Sequence, residues 1–290
     1  MRLRPGNTVS RYRIRCPAVF ITEPCEERLP KMKSQKTILT ENRKYWTGRA
    51  ESYSLVNQTE LGTEQREKWR SCIRSELRKQ FPDREPSSLR VLDAGTGPGF
   101  FAILLCELGC QVTAIDLTPA MLEEARHNAG ALSDNIVWME MDTENLSFPD
   151  ACFDVVISRN LTWNLVHPDR AYAEWARVLR PGGLLINFDA NWYAYLFSDA
   201  AKAAYEQDRR NSAEHGVNDQ NIGENFDVME EIARRLPLSD VRRPAWDLSV
   251  LGGLGLCAAA DEEIWQRVWS GEEQLNFAST PLFMVTAVRP

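Results

Sequence analysis

The sequence is poor in several things at once. No apolar run in its 290 residues approaches the roughly 18 residues that a membrane-spanning helix needs. The N-terminus lacks the apolar stretch of a signal peptide. Cysteine is present, but its seven copies form no CxxC pair and their number is odd. That argues against a disulfide framework and for a reducing cytoplasm. Cys106 and Cys110 stand one helical turn apart and could pair on a soft metal. Their segment is apolar, so buried small hydrophobes are expected there and no metal. Histidine is scarce, with only His127, His167 and His215. His127 falls in a segment patterned as a helix, and the other two in loops.

What is there suits one large α/β domain with additions. A chain of this length can bury a sizeable core, and its 43% apolar fraction is ordinary for a globular protein. Charge is unevenly spread. Residues 1–49 carry twelve Lys or Arg against four acids, a net +8, which leaves −15 for the remainder of a chain whose total is −7. A basic arm could meet nucleic acid. Residues 1–31, however, are polar, punctuated by proline and without periodicity, so they are expected to be a flexible basic extension. Met32 opens a stretch that reads as the usual start of a bacterial protein.

The chain is organised around Val91–Phe101, VLDAGTGPGFF. It opens apolar, turns on Gly95, Gly97 and Gly99, and runs into an apolar helical pattern. Asp93 stands where the strand would end. The glycines let the backbone pass close to a ligand. Asp116 follows 21 residues after Gly95, at the end of the next apolar run, where a ribose-binding carboxylate belongs in a nucleotide-type βαβ unit.

VLDAGTGPG resembles the first motif of the class I S-adenosylmethionine (SAM)-dependent methyltransferases, an acid followed by GxGxG. A dehydrogenase fingerprint is spaced differently. Four further segments match in order: AIDLTPAML, MDTENLSFPDACFD, VVISRN and RVLRPGGLL, together covering about Leu89 to Asp189. The resemblance implies a Rossmann-like, mostly parallel seven-stranded sheet with helices on both faces, N-terminal lid helices and a helical cap insertion. It divides the chain into a lid segment (32–87), a SAM-binding core (88–192), a cap (193–243) and a C-terminal completion of the sheet (244–290).

Strands are expected at about Leu89–Asp93, Gln111–Asp116, Asn135–Glu140, Phe153–Ser158, Leu184–Asp189 and Cys257–Glu262, with Pro281–Val288 last and antiparallel at the sheet edge. Helices are expected at Thr63–Phe81, Gly99–Leu108, Thr118–Asn128 and Asp169–Leu179. Two more, near Ser198–Arg210 and Asp227–Leu236, would lie in the cap around a polar loop, and one at Trp246–Leu256 would follow it. Ligands of such sheets sit outside the carboxyl ends of the strands, where the polar residues of this chain collect.

By the resemblance, Gly95, Thr96, Gly97 and Gly99 meet the amino-acid end of SAM, with Asp93 as a complementary charge. Asp116 accepts the ribose hydroxyls, and Leu117 flanks the adenine. Asp142 accepts from the adenine amino group, with Thr143 beside it. Arg159 and Asn160 face the methionine end. Tyr53, with Tyr45 and Trp46, belongs to a lid, and its hydroxyl reaches the methionine carboxylate. Trp163 walls the sulfonium side. Asp189, Asn191, Trp192 and Tyr193 point toward the methyl acceptor. Asp189 and His167, with His215 behind them, are candidates for a general base if the acceptor must lose a proton. The function implied is in-line methyl transfer to a small molecule under the cap. An RNA or protein methyltransferase, or a non-catalytic SAM-binding regulator, is the alternative.

Overall fold

The computed structural model describes residues 32–217 and 226–290. The expected N-terminal extension and most of the polar loop in the insertion lie outside them.

Alternating strands and helices build one sheet of seven strands in the order β3-β2-β1-β4-β5-β7-β6. β1 (Arg90–Ala94), β2 (Gln111–Asp116), β3 (Ile136–Glu140), β4 (Phe153–Arg159) and β5 (Leu179–Asp189) run parallel. β7 (Phe283–Val288) is antiparallel to both β5 and β6 (Cys257–Asp261), so it lies one place in from the edge rather than at it. The ladder between β4 and β5 breaks its register between Phe153 and Val155, opposite Pro181-Gly182-Gly183, and resumes at Leu184.

Both faces of the sheet are covered. On one, α2 (Gln65–Gln80) buries Trp69, Ile73 and Leu77 against α3 (Phe100–Glu107). Their four-residue spacing puts them on one stripe, and burying each contributes roughly 1.5–3 kcal/mol. Cys110 is buried in the same cluster and Cys106 packs against it. On the other face, α5 (Pro168–Val178) buries Tyr172 and Trp175, and α8 (Ala245–Gly253) adds Leu251. α4 (Pro119–Ala129) begins with proline at its first turn, as expected. Thr118 precedes it without a side-chain cap, its N–H going to Asp116 instead.

The N-terminal segment is more regular than its sequence suggests. α1 (Met32–Gly62) is one helix of 31 residues. It lies against α4, where Ser54 and Gln58 bond the Asn128 amide. The insertion contains α6 (Asp199–Glu214) and α7 (Phe226–Ala233). Met229 and Ile232 of α7, with Leu236 just beyond it, pack on Ile38 of α1 and on Trp163. Two short helices, α9 (Trp265–Val268) and α10 (Gly271–Asn276), had no counterpart in the sequence reading. α10 starts with a capping box between Ser270 and Glu273. Among the described residues no helix is long and apolar enough to cross a membrane.

Candidate functional site

The strand order reverses between β1 and β4, and a cavity opens at the carboxyl ends of β1, β2 and β4. Its walls bound about 1050 Å³ of space, the solvent at the mouth included. Eleven residues expected around SAM line it: Tyr53, Asp93, Gly95, Thr96, Gly97, Asp116, Leu117, Asp142, Thr143, Arg159 and Asn160.

Local structure fixes each group. Asp116 ends β2 and is held by two backbone donors, Gly97 N–H at 3.0 Å and Thr118 N–H at 2.8 Å. Asp93 is the penultimate residue of β1, is 2% exposed, and accepts the Thr96 hydroxyl at 2.6 Å. Burial pushes its carboxyl up to about 7, against the pull of Thr96 and of the Ala102 N–H. Asp142 accepts the Glu144 N–H at 2.9 Å. The Thr143 hydroxyl is turned away, accepting Trp175 Nε1–H at 2.7 Å. Tyr53 stands over the glycine turn, so a Cβ at Gly97 would lie 3.8 Å from its Cε1.

Arg159 is gripped from below and above. Its Nη2 donates to both Glu60 oxygens at 2.8 Å, and its guanidinium lies 4.4 Å from the Phe100 ring centroid and 5.0 Å from that of Trp69. Its Nη1 is buried without a partner. Asn160 takes a left-handed backbone, φ 55°, and its side-chain oxygen is likewise unpartnered. Arg159 and Asn160 both line the cavity.

Gly99 is the exception in the glycine turn. It does not line the cavity. With φ at +89°, a Cβ there would come within 3.0 Å of the Ala125 Cβ, so this glycine serves close packing of α4 on the turn.

The other end of the cavity is built by the lid helix, where Trp46 was expected, and by the loop after β4, through residues that were not singled out. Leu39, Asn42, Arg43 and Trp46 enter from one face of α1, and Asn164, Leu165 and Val166 from the loop after β4. Asn42 Nδ2 donates to the Asn164 carbonyl at 2.9 Å, tying helix to loop. Glu144 also lines this end. Its Oε1 accepts the N–H groups of Val166 at 2.9 Å and His167 at 2.8 Å. Burial raises its pKa, against the pull of the His167 N–H.

The residues expected at the acceptor are placed elsewhere. Asp189 is fully buried and does not line the cavity. Its Oδ2 faces Arg243 Nη1 at 2.6 Å and also accepts Thr162 Oγ1–H and Trp163 N–H; its Oδ1 takes Ala190 N–H and Trp192 Nε1–H. A carboxylate so saturated has no free lone pair for an acceptor proton. Asn191 exchanges two bonds with the Arg243 backbone. Trp192 packs edge-on against Phe277, and Tyr193 lies tilted against Trp163 at 5.0 Å. Trp163 itself is 7% exposed, within the cluster formed with α7. His167 precedes α5, and its ring does not line the cavity. His215 follows α6, its Nδ1 at 2.8 Å from the Asn211 carbonyl. The end of β5 thus forms a layer behind the site. Among the described residues, none from the insertion 193–243 lines the cavity; α1 takes that place.

Residues 92–187 match the family model described as a methyltransferase domain. The chain is 38% identical over 140 residues to demethylmenaquinone methyltransferase of Deinococcus radiodurans, covering 47% of this chain and 55% of that protein. It is 37% identical over 97 residues to malonyl-[acyl-carrier protein] O-methyltransferase of Serratia marcescens, covering 33% and 36%. A putative SAM-dependent methyltransferase of Listeria monocytogenes shares the fold with a TM-score of 0.51 at 16% identity, covering 74% of this chain and 96% of that one. The matched part spans about half the length of the curated relatives or less. Residues 92–187 thus resemble methyltransferase domains in sequence, and the chain shares their fold.

Proposed function

We propose that the protein transfers the methyl group of SAM to a small-molecule acceptor by in-line displacement. One observation carries the reading: Asp93, the glycine turn, Asp116 and Asp142 face a cavity whose other end is enclosed by α1 and the loop after β4. The residues fit the group. Asp116, oriented by two backbone donors, holds the ribose diol. Asp93 and the backbone of residues 95–97 hold the α-ammonium. The unpartnered Nη1 of Arg159 and the Tyr53 hydroxyl serve the carboxylate. Asp142 and Leu117 receive the adenine.

Bound SAM supplies a methyl group on a sulfonium, already a good leaving group. The protein therefore has to position the acceptor and exclude water. Leu39, Trp46, Leu165 and Val166 furnish the dry wall, and the Asn42–Asn164 bond fixes helix against loop. The curated relatives named above act, by their names, on demethylmenaquinone and on malonyl-[acyl-carrier protein], which agrees with non-nucleic acceptors. The odd number of cysteines and the lack of a CxxC pair support a cytoplasmic setting. A screen of small acceptors with methyl-labelled SAM tests the proposal. Transfer to a small molecule is expected; label on RNA or protein alone would move the macromolecular reading ahead.

A further inference from the structure

The acceptor end of the cavity has a hydrogen-bonding signature of its own. Asn42 and Asn164 are 6% and 7% exposed, and the Oδ1 of each is unpartnered. The Asn42 amide is oriented by its Nδ2, which donates to the Asn164 carbonyl, so the oxygen is the end left free. Trp46 Nε1 is also buried without a partner. All three residues line the cavity. The clustering of such atoms at one end of one cavity calls for a bound molecule that completes them.

The charges at this end select its chemistry. Arg43 is engaged by Glu140 at 2.6 Å. Arg159 is engaged by Glu60 and lies at the other end, under the glycine turn. The side chain of Glu144 adds a carboxyl with two backbone donors on one oxygen only. An anion would bring its charge beside Glu144 and Asp142, with two amide oxygens facing it and one indole N–H to receive it. Like charge and unmatched acceptors both oppose that. A hydroxyl instead donates its one hydrogen to an Asn oxygen and accepts from Trp46 Nε1–H, an N–H group donates in the same way, and the apolar body lies against Leu39, Leu165 and Val166.

We infer that the methyl acceptor is an uncharged small molecule with a hydroxyl or N–H donor on an apolar body, held by Asn42 and Asn164, and that carboxylates and phosphates are rejected there. The inference rests on the methyltransferase reading and names the substrate class of that same site.

A matched series tests it. Protein saturated with S-adenosylhomocysteine is titrated with 4-ethylphenol, 4-ethylanisole and the 4-ethylbenzoate anion, which share a body and differ in the polar group. The phenol should bind at least tenfold tighter than either of the others. Asn164→Leu should remove that preference while leaving S-adenosylhomocysteine affinity within about twofold. Asn42→Asp, close in shape, should weaken the phenol by loss of the Nδ2 bond that sets the loop. Equal or tighter binding of the anisole or the benzoate, or binding of none of the three, overturns the inference. Absence of S-adenosylhomocysteine binding in the same titration overturns the methyltransferase reading instead.

Discussion

Arg243 and Asp189 form an ion pair at 2.6 Å in which neither side chain has any solvent exposure. Arg243 also holds Asp247 through Nε and Nη2, and its Nη2 reaches Thr162 Oγ1 at 2.6 Å. Thr162 and Trp163 sit in the loop between the cavity residues Asn160 and Asn164. The pair therefore braces the cavity wall from behind, with two carboxylates around one guanidinium. Removing the guanidinium strands both carboxylates, and breaking a buried pair from one side costs about 3–5 kcal/mol. Arg243→Met should lower unfolding stability by that much in urea titration. A loss under about 1 kcal/mol would show that the network bears little of the fold.

Asp93 gives the site a pH dependence. Its carboxyl ionises at about 7 in the free protein, against 3.8 for an unperturbed group. Below pH 7 it is mostly protonated and offers no charge to the ligand's ammonium, so binding there must release a proton. S-adenosylhomocysteine affinity should rise from pH 5 to about 8, by at most tenfold per pH unit, and level off above. Asp93→Asn should flatten that rise. The stability of the free protein should move the other way. The folded state holds this proton where the unfolded chain has lost it, so stability falls as pH climbs from about 4 to about 7. An affinity that is level across the range in the native protein would refute the assignment.

Glu60 is the buried counter-charge of Arg159 and comes from the last turn of α1. Glu60→Ala leaves a buried cation without its hydrogen-bonded counter-charge. We expect a loss of about 3–5 kcal/mol in stability and weaker cofactor binding, because α1 loses its anchor to the end of β4. Calorimetric melting checks the first, and titration with S-adenosylhomocysteine the second. Unchanged affinity would show that α1 is held independently of this pair.

The cofactor end was legible in the sequence; at the acceptor end Trp46 and the loop after β4 were legible, but Leu39, Asn42 and Asn164 were not. Asp93, Gly95, Gly97 and Asp116 belong to one βαβ unit, where spacing along the chain dictates spacing in the fold. The face of α1 toward the cavity mixes Leu39 with Asn42, Arg43, Trp46, Tyr53 and Asn57, so hydrophobic periodicity does not mark it. Its partners are remote: Asn42 meets Asn164 across 122 residues, and Glu60 meets Arg159 across 99. Asp189 misled for a physical reason. It ends a parallel strand, as Asp116 does, but Arg243 comes from 54 residues away to cover it. No local pattern announces that ion pair. The insertion showed two amphipathic helices, and α7 does bury its apolar face. It does so against the outer side of α1 and Trp163, a layer away from the cavity.

The most direct measurement is calorimetric titration of the native chain and of Asp116→Ala with SAM and, separately, with NADH. The account predicts stoichiometric SAM binding to the native chain and no measurable NADH binding. It also predicts SAM affinity about 1–3 kcal/mol weaker in Asp116→Ala, where the ribose hydroxyls lose an acceptor oriented by Gly97 and Thr118. Tight NADH binding with none for SAM, or an Asp116→Ala affinity equal to the native one, would contradict it.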